Sequence, residues 1–157
     1  METQLNNENS FKGLHQYINA FYHLPDTDIR SYSPLTLAFI GDSIFDLIIR
    51  TSVVEGGNAP VNKLHKRAAK LVQAASQADL YHTIKDRLTE EETAVFKRGR
   101  NAKSFTSAKN AGVIEYRTAT GLEALFGYLY LTDQMERLME LLKPQIEKLT
   151  GEEPPQK

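Results

Sequence analysis

Residues 37–47 read LAFIGDSIFDL, an apolar run from Leu37 to Leu47 with one carboxylate, Asp42, in its middle and a second, Asp46, near its end. Pro34 suits the first turn of a helix, and Leu37, Ile40, Ile44, Leu47 and Ile48 recur at helical spacing, so a helix is predicted from about Pro34 to Val54. Phe39, Phe45 and Ile49 fill most of the remaining circumference, which makes the helix central and sets Asp42 beside packed side chains rather than on an open surface. An ionised carboxylate in such a place costs several kcal/mol unless a cation or hydrogen-bond donors compensate it. Gly41 beside it lets another backbone come close. Asp46 shares a stripe with Ala38 and Asp42 and is a candidate to lend a second charge there, although its spacing to Arg50 also fits a plain ion pair.

A second apolar stretch, GLEALFGY at residues 121–128, carries Glu123 in the same way. It belongs to a predicted helix of roughly Glu115 to Leu131 whose core face is Leu122, Leu125, Phe126 and Leu129, with Glu123 off that face. Ala119 and Thr120 one turn earlier and Gly127 one turn later are small, leaving an uncrowded strip in which Thr120 is a candidate neighbour of the carboxylate. Two readings fit Glu123: an ion pair with Arg or Lys across a helix interface, or a divalent cation shared with Asp42.

Helical spacing continues along the chain. Phe11, Leu14, Ile18 and Phe21 predict a helix over Phe11 to Tyr22; Pro60 opens one containing Leu64, Ala68, Leu71 and Val72; Ala78, Leu80, Tyr81 and Ile84 mark another. Thr89 and Glu92 form a capping box for a helix through Ala94, Val95 and Phe96. Thr132 is placed to cap the last helix, with Met135, Leu138, Met139, Leu142 and Ile146 as its apolar stripe and Pro144 disturbing its end. Alternating strand patterns are absent, so the expected fold is an all-α bundle: a disordered N-terminus over residues 1–10, one domain over 11–149 and a disordered tail over 150–157.

A length of 157 residues suits one domain with a proper core. The absence of cysteine excludes disulfides and thiolate metal sites. His15, His23, His65 and His82 form no cluster with acids at helical spacing, which argues against a histidine-ligated nucleotide hydrolase. With neither a charged-then-apolar leader nor an apolar run long enough for a bilayer, the expectation is a cytoplasmic protein with no membrane partner.

Lys and Arg number 19 against 20 Asp and Glu, a formal net charge of −1, yet the distribution is uneven. Lys97, Arg98, Arg100, Lys103 and Lys109 follow one another without an acid. Gly99 interrupts helical continuity among them, and with Asn101 the stretch reads as a loop able to place backbone and guanidinium donors on phosphates. Lys63, His65, Lys66, Arg67 and Lys70 form a second acid-free run, for which a solvated helix face and a nucleic-acid surface are both open. Phe105 is the only aromatic residue between Lys97 and Lys109, so a stacking platform for single strands is lacking. Duplex RNA, recognised by shape, phosphates and 2′-hydroxyls, suits such a surface better.

The pairing of LAFIGDSIFDL with the later LEALFGYLYL resembles the two halves of the ribonuclease III catalytic signature, a Gly-Asp helix facing a Glu-Ala-Leu-x-Gly helix. KRGRNAKS at residues 97–104, then Lys109-Asn110 and Tyr116-Arg117, are similar to the compact bacterial Mini-ribonuclease III group, and the resemblance covers about Leu35 to Leu142. Ala38 and Thr120 stand where most of the family has Glu and Asp, a replacement characteristic of the Mini group, so of the acidic quartet only Asp42 and Glu123 carry over. The remaining ligands of the cation must then come from water and substrate phosphate.

The resemblance implies a ribonuclease III catalytic-domain bundle without the family's C-terminal double-stranded RNA-binding domain. It implies an endoribonuclease that uses Mg2+, or Mn2+ in its place, to cut duplex RNA to 5′-phosphate and 3′-hydroxyl ends, working as a homodimer that leaves a short 3′ overhang. It points to precursor 23S ribosomal RNA as substrate, with a ribosomal protein as a candidate partner. The uniformly apolar Asp42 helix is an independent sign of a second subunit. The competing expectation is a catalytically silent RNA-binding or ribosome-associated module, favoured by the loss of acids at Ala38 and Thr120 and opposed by the retention of Asp42 and Glu123 within intact motifs.

Overall fold

The computed structural model describes residues 13–103 and 112–151. Their helices are α1 (Leu14–Tyr22), α2 (Pro34–Glu55), α3 (Val61–Val72), α4 (Ala74–Ile84), α5 (Glu90–Asn101), α6 (Gly112–Leu131) and α7 (Met135–Thr150), with 3-10 turns at Ile29–Ser31 and Lys85–Arg87. Among the described residues there is no strand, and the expected all-α bundle is what forms.

Local chemistry sets several boundaries as the sequence implies. Ser33 accepts a hydrogen bond from the Thr36 amide at 3.2 Å, and Pro34 occupies the first turn of α2. Thr89 and Glu92 make both bonds of the capping box that starts α5, 3.1 Å from the Glu92 amide to the threonine hydroxyl and 2.9 Å from the Thr89 amide to the carboxylate.

Other boundaries depart from expectation for physical reasons. Thr132 does not cap α7; its hydroxyl donates back to the Tyr128 carbonyl at 2.7 Å and closes α6, while Gln134 takes the N-cap position without a side-chain capping bond, its Nε2 donating to the Thr132 hydroxyl instead. Pro144 lies inside α7, which continues to Thr150. Gly99 does not interrupt α5. It is buried, and a Cβ there would lie 2.7 Å from the Ala124 Cβ and 3.0 Å from the Gly121 Cα, so the glycine lets α5 press onto α6 and the helix runs through it to Asn101. The helix-propensity cost of glycine, about 1 kcal/mol, is outweighed by that packing. Helix α1 buries no residue, and Phe21 and Leu14 stay exposed. Of the expected disordered tail at 150–157, Thr150 is instead the last residue of α7 and Gly151 follows it with its amide bonded to the Glu147 carbonyl, while Phe11, the expected disordered segment at 1–10 and residues 152–157 lie outside the described residues.

Helices α2 and α6 form the middle of the bundle. Phe45, Ile49, Leu122, Leu125, Phe126 and Leu129 are fully buried and join Phe96 of α5, Leu80 and Ile84 of α4, and Leu138 and Leu142 of α7 in one core. A buried ion pair ties α5 to α7: the Arg137 guanidinium donates from Nε and Nη2 to the two Glu92 oxygens, both at 2.9 Å. That bond holds the Glu92 carboxyl below its ordinary range against the opposing effect of burial.

The α2–α6 crossing admits no side chain. A Cβ on Gly41 would overlap the Glu123 carbonyl oxygen, and one on Gly127 would overlap the carbonyl oxygen of Leu37, so the two backbones touch in both directions. Backbone on both sides cannot swing aside as a side-chain end would. Gly127→Ala is therefore expected to destabilise by about 3 kcal/mol or more, whereas Gly112→Ala, which meets nothing within 4 Å, stays within about 1 kcal/mol of the parent. Urea titration of the two variants measures the contrast.

Candidate active site

Contact at Gly41 brings the next residue, Asp42, to the turn of α6 that carries Glu123. Glu123 is half-buried and its carboxyl pKa is pushed up to about 7, first by desolvation and then by the negative charge of Asp42, with a hydrogen bond from Gln77 acting in the opposite direction. The two acids, distant in sequence, thus share one electrostatic site. Asp42 itself is exposed in the single chain, so its expected placement beside packed side chains is corrected: α2 is central, but the face that bears Asp42 and Phe39 is open. Burial is felt by Glu123 instead.

Among the described residues neither carboxylate pairs with Lys or Arg, and the hydrogen-bond donor that Glu123 does meet is the neutral amide of Gln77. Asp46 does pair, with Arg50 at 2.9 Å, the alternative its spacing had allowed. Thr120 donates its hydroxyl proton to the Tyr116 carbonyl at 3.0 Å, leaving only acceptor lone pairs beside the site.

The basic residues follow a different geometry from the loop expected of them. Lys97, Arg98, Arg100 and Asn101 lie on the last turns of α5, with Lys103 just beyond; Lys109 is outside the described residues. Gly99 in their midst packs on Thr120, Gly121 and Ala124, so this end of α5 is anchored on the same stretch of α6 that carries Glu123. Lys97, Arg98 and Lys103 are exposed. Arg100 is half-buried, its guanidinium 5.7 Å from the Phe96 ring centre and donating to the Asn101 side-chain oxygen at 3.2 Å.

Gln77 is the site residue that the sequence reading missed. It is buried, and its Nε2 donates to Glu123 Oε1 at 3.2 Å. A signal existed: Gln77 precedes Tyr81 and Ile84 by four and seven residues, so a polar side chain occupies the apolar stripe of α4.

No group of three or more His, Cys, Asp or Glu side chains suited to a metal occurs among the described residues. The donor set is a pair of carboxylates that repel one another and, among the described residues, meet no Lys or Arg, a pair that fits a hard divalent ion completed by water and phosphate. Among the described residues no helix is long and apolar enough to cross a membrane.

The sequence model of the ribonuclease III domain matches residues 35–134. Mini-ribonuclease 3 of Thermoanaerobacter is 51% identical over 115 residues, 73% of this chain and 81% of the relative. That of Enterococcus faecalis is 48% identical over 124 residues, 78% of this chain and 94% of the relative. The chain belongs to the ribonuclease III family, in its Mini-ribonuclease III group. A crystal structure of a Fusobacterium nucleatum protein, 35% identical, superposes with a TM-score of 0.71 over 78% of this chain and 99% of its own. The family match over residues 35–134 includes both Asp42 on α2 and Glu123 on α6.

The raised carboxyl of Glu123 has a linkage consequence. Its pKa of about 7 in the folded chain lies above the ordinary 4.5, so between these values unfolding releases a proton. In EDTA the parent should lose stability as pH rises from 5 to 8, by up to about 3 kcal/mol. The depressed Glu92 carboxyl acts in the opposite sense and only at lower pH. Urea midpoints at pH 5 and pH 8 should converge in Glu123→Gln relative to the parent, and an unchanged pH slope would mean that Glu123 is not the group responsible.

Proposed function

We propose that this ribonuclease III family enzyme cuts duplex RNA in a reaction dependent on Mg2+, or on Mn2+ in its place, with Asp42 and Glu123 holding the cation. The observation that carries this reading is the pair itself: the backbone contact at Gly41 sets two carboxylates together, and no described Lys or Arg neutralises either. When bound, such a cation supplies a coordinated water of lowered pKa and offsets charge developing on a leaving oxygen. Hydrolysis of the phosphodiester with departure of the 3′ oxygen would leave a 5′-phosphate and a 3′-hydroxyl. The residues of this chain fix where the phosphodiester lies: Lys97, Arg98, Arg100, Asn101 and Lys103 donate to flanking phosphates from the end of α5 that packs on the Glu123 stretch of α6, and Lys109, outside the described residues, is assigned the same role from the sequence. Cations with no stacking platform suit an A-form duplex. The biological substrate is precursor 23S ribosomal RNA in the cytoplasm, presented with a ribosomal protein.

A homodimer completes the arrangement. Leu35, Phe39 and Leu47 lie at four- and eight-residue spacing on the open face of α2, and Phe39 is 78% exposed. A second copy covering this face would bury those side chains and place a second Asp42 next to the interface. Phe39→Asp is expected to convert a dimer to a monomer in analytical ultracentrifugation while helix content stays unchanged. A parent protein that is monomeric at micromolar concentration removes the dimer from this reading.

The silent RNA-binding module is the second reading. What favours it is the small acidic donor set, since Ala38 is buried without an oxygen to offer and Thr120 brings no carboxylate. Incubation with an RNA duplex, the matching DNA duplex and single-stranded RNA, each with and without Mg2+, separates the two. The expected outcome is cleavage of the RNA duplex alone and only with the ion. Asp42→Asn and Glu123→Gln should each lower that cleavage at least about 100-fold with the fold intact by circular dichroism. Binding of duplex without cleavage by the parent would establish the silent module instead.

A further inference from the structure

The elbow between α3 and α4 contains two buried glutamines whose amides do different things. Gln73 adopts extended dihedrals between the helices (φ −64°, ψ 153°), which interrupts the backbone ladder and leaves the last carbonyls of α3 in need of donors. Gln145 of α7 supplies one: its Nε2 donates to the Leu71 carbonyl and to the Ser76 hydroxyl, both at 2.7 Å. Gln77 supplies the other, donating from Nε2 to the Val72 carbonyl at 2.9 Å, and spends its second proton on Glu123 Oε1 at 3.2 Å. A carbonyl and a carboxylate are both acceptors, so the amide orientation is fixed; reversed, its oxygen would face two lone-pair donors.

Resting on the reading of Glu123 as a cation ligand, we propose that Gln77 is the positioning residue of the site: anchored on the Val72 carbonyl, its amide holds one oxygen of Glu123 and leaves the other, together with the full negative charge, for the cation. A lysine or arginine in its place would orient the carboxylate equally well but would neutralise it and compete with the ion. A glutamine donates without charge. Gln77 is 3% exposed, and its own Oε1 has no hydrogen-bond partner among the described residues. Keeping that acceptor buried without a partner costs stability, and it is held there on the amide whose two protons serve Val72 and Glu123. Gln145 is the internal comparison: it serves the same elbow, has an orphan Oε1 too, and among the described residues its amide donates to Leu71 and Ser76 rather than to either acid.

Mn2+ binding without RNA, read by electron paramagnetic resonance, and the Mg2+ concentration giving half-maximal duplex cleavage test the assignment together. Gln77→Met, apolar and of similar length, should weaken Mn2+ binding and raise the Mg2+ requirement by about 10-fold, with cleavage at saturating Mg2+ affected less. Gln145→Met should lower the melting temperature and leave the Mn2+ affinity as in the parent. In the unmutated protein, which covers failure of Gln77→Met to fold, Mg2+ should shift the Gln77 side-chain amide resonances and not those of Gln145. Unchanged Mn2+ affinity in folded Gln77→Met, or Gln77 resonances indifferent to Mg2+, overturns the positioning role. Glu123→Gln distinguishes the two levels: if it binds Mn2+ and cleaves like the parent, the cation site itself is wrong, whereas loss of both in Glu123→Gln with no effect in Gln77→Met removes only the role of Gln77.

Discussion

The contact of Gly41 with the Glu123 turn, and of Gly127 with the Leu37 turn, is the constraint on which the rest of the molecule depends. Two helices ordinarily keep their axes apart by the thickness of interlocking side chains. Here carbonyl oxygens occupy the space that a Cβ would need, so the crossing point is defined by backbone alone. Hydrophobic burial around it, from Phe45 and Ile49 on α2 and from Leu122, Phe126 and Leu129 on α6, drives the helices together without choosing that register. The missing side chains choose it. Because Asp42 follows Gly41 and Glu123 lies one turn from Gly127, the same contact that locks the fold also assembles the two acids.

Electrostatics in the bundle divide into satisfied and unsatisfied charge. Glu92 is buried, yet Arg137 meets both of its oxygens and lowers its pKa. Among the described residues Glu123 receives one neutral donor, that of Gln77, and it faces a second negative charge, so its pKa rises. A fold able to compensate one buried carboxylate with a bidentate guanidinium leaves the other open. That asymmetry costs stability in the metal-free chain and is a feature expected of a binding site rather than of a structural pair. The neutral amide of Gln77 belongs to the same logic, since it orients without discharging.

Helix type, approximate length and core stripe were legible because they are local properties. The Pro34 start, the Thr89 capping box and the apolar spacings of α2 and α6 are written within a few residues of where they act. The acids were legible too, as charges in apolar runs bordered by small residues. Local patterns misled where a residue serves a neighbour distant in sequence. Gly99 looked like a break and is instead the point where α5 meets α6; Thr132 looked like a cap for the following helix and bonds to the preceding one. The basic residues near Gly99 accordingly stand on a helix end anchored to the site, not on a free loop.

By itself the sequence determined an all-helical chain, its central pair of helices and the two carboxylates, since periodicity and composition encode which side of a helix turns inward. Only the tertiary structure decided that Asp42 lies on an open face while Glu123 bears the cost of burial, that Asp46 belongs to Arg50, and that a glutamine from α4 reaches the site. The physical reason is that solvation and partner choice depend on what packs across a helix, and spacing along one helix carries no information about the surface that meets it.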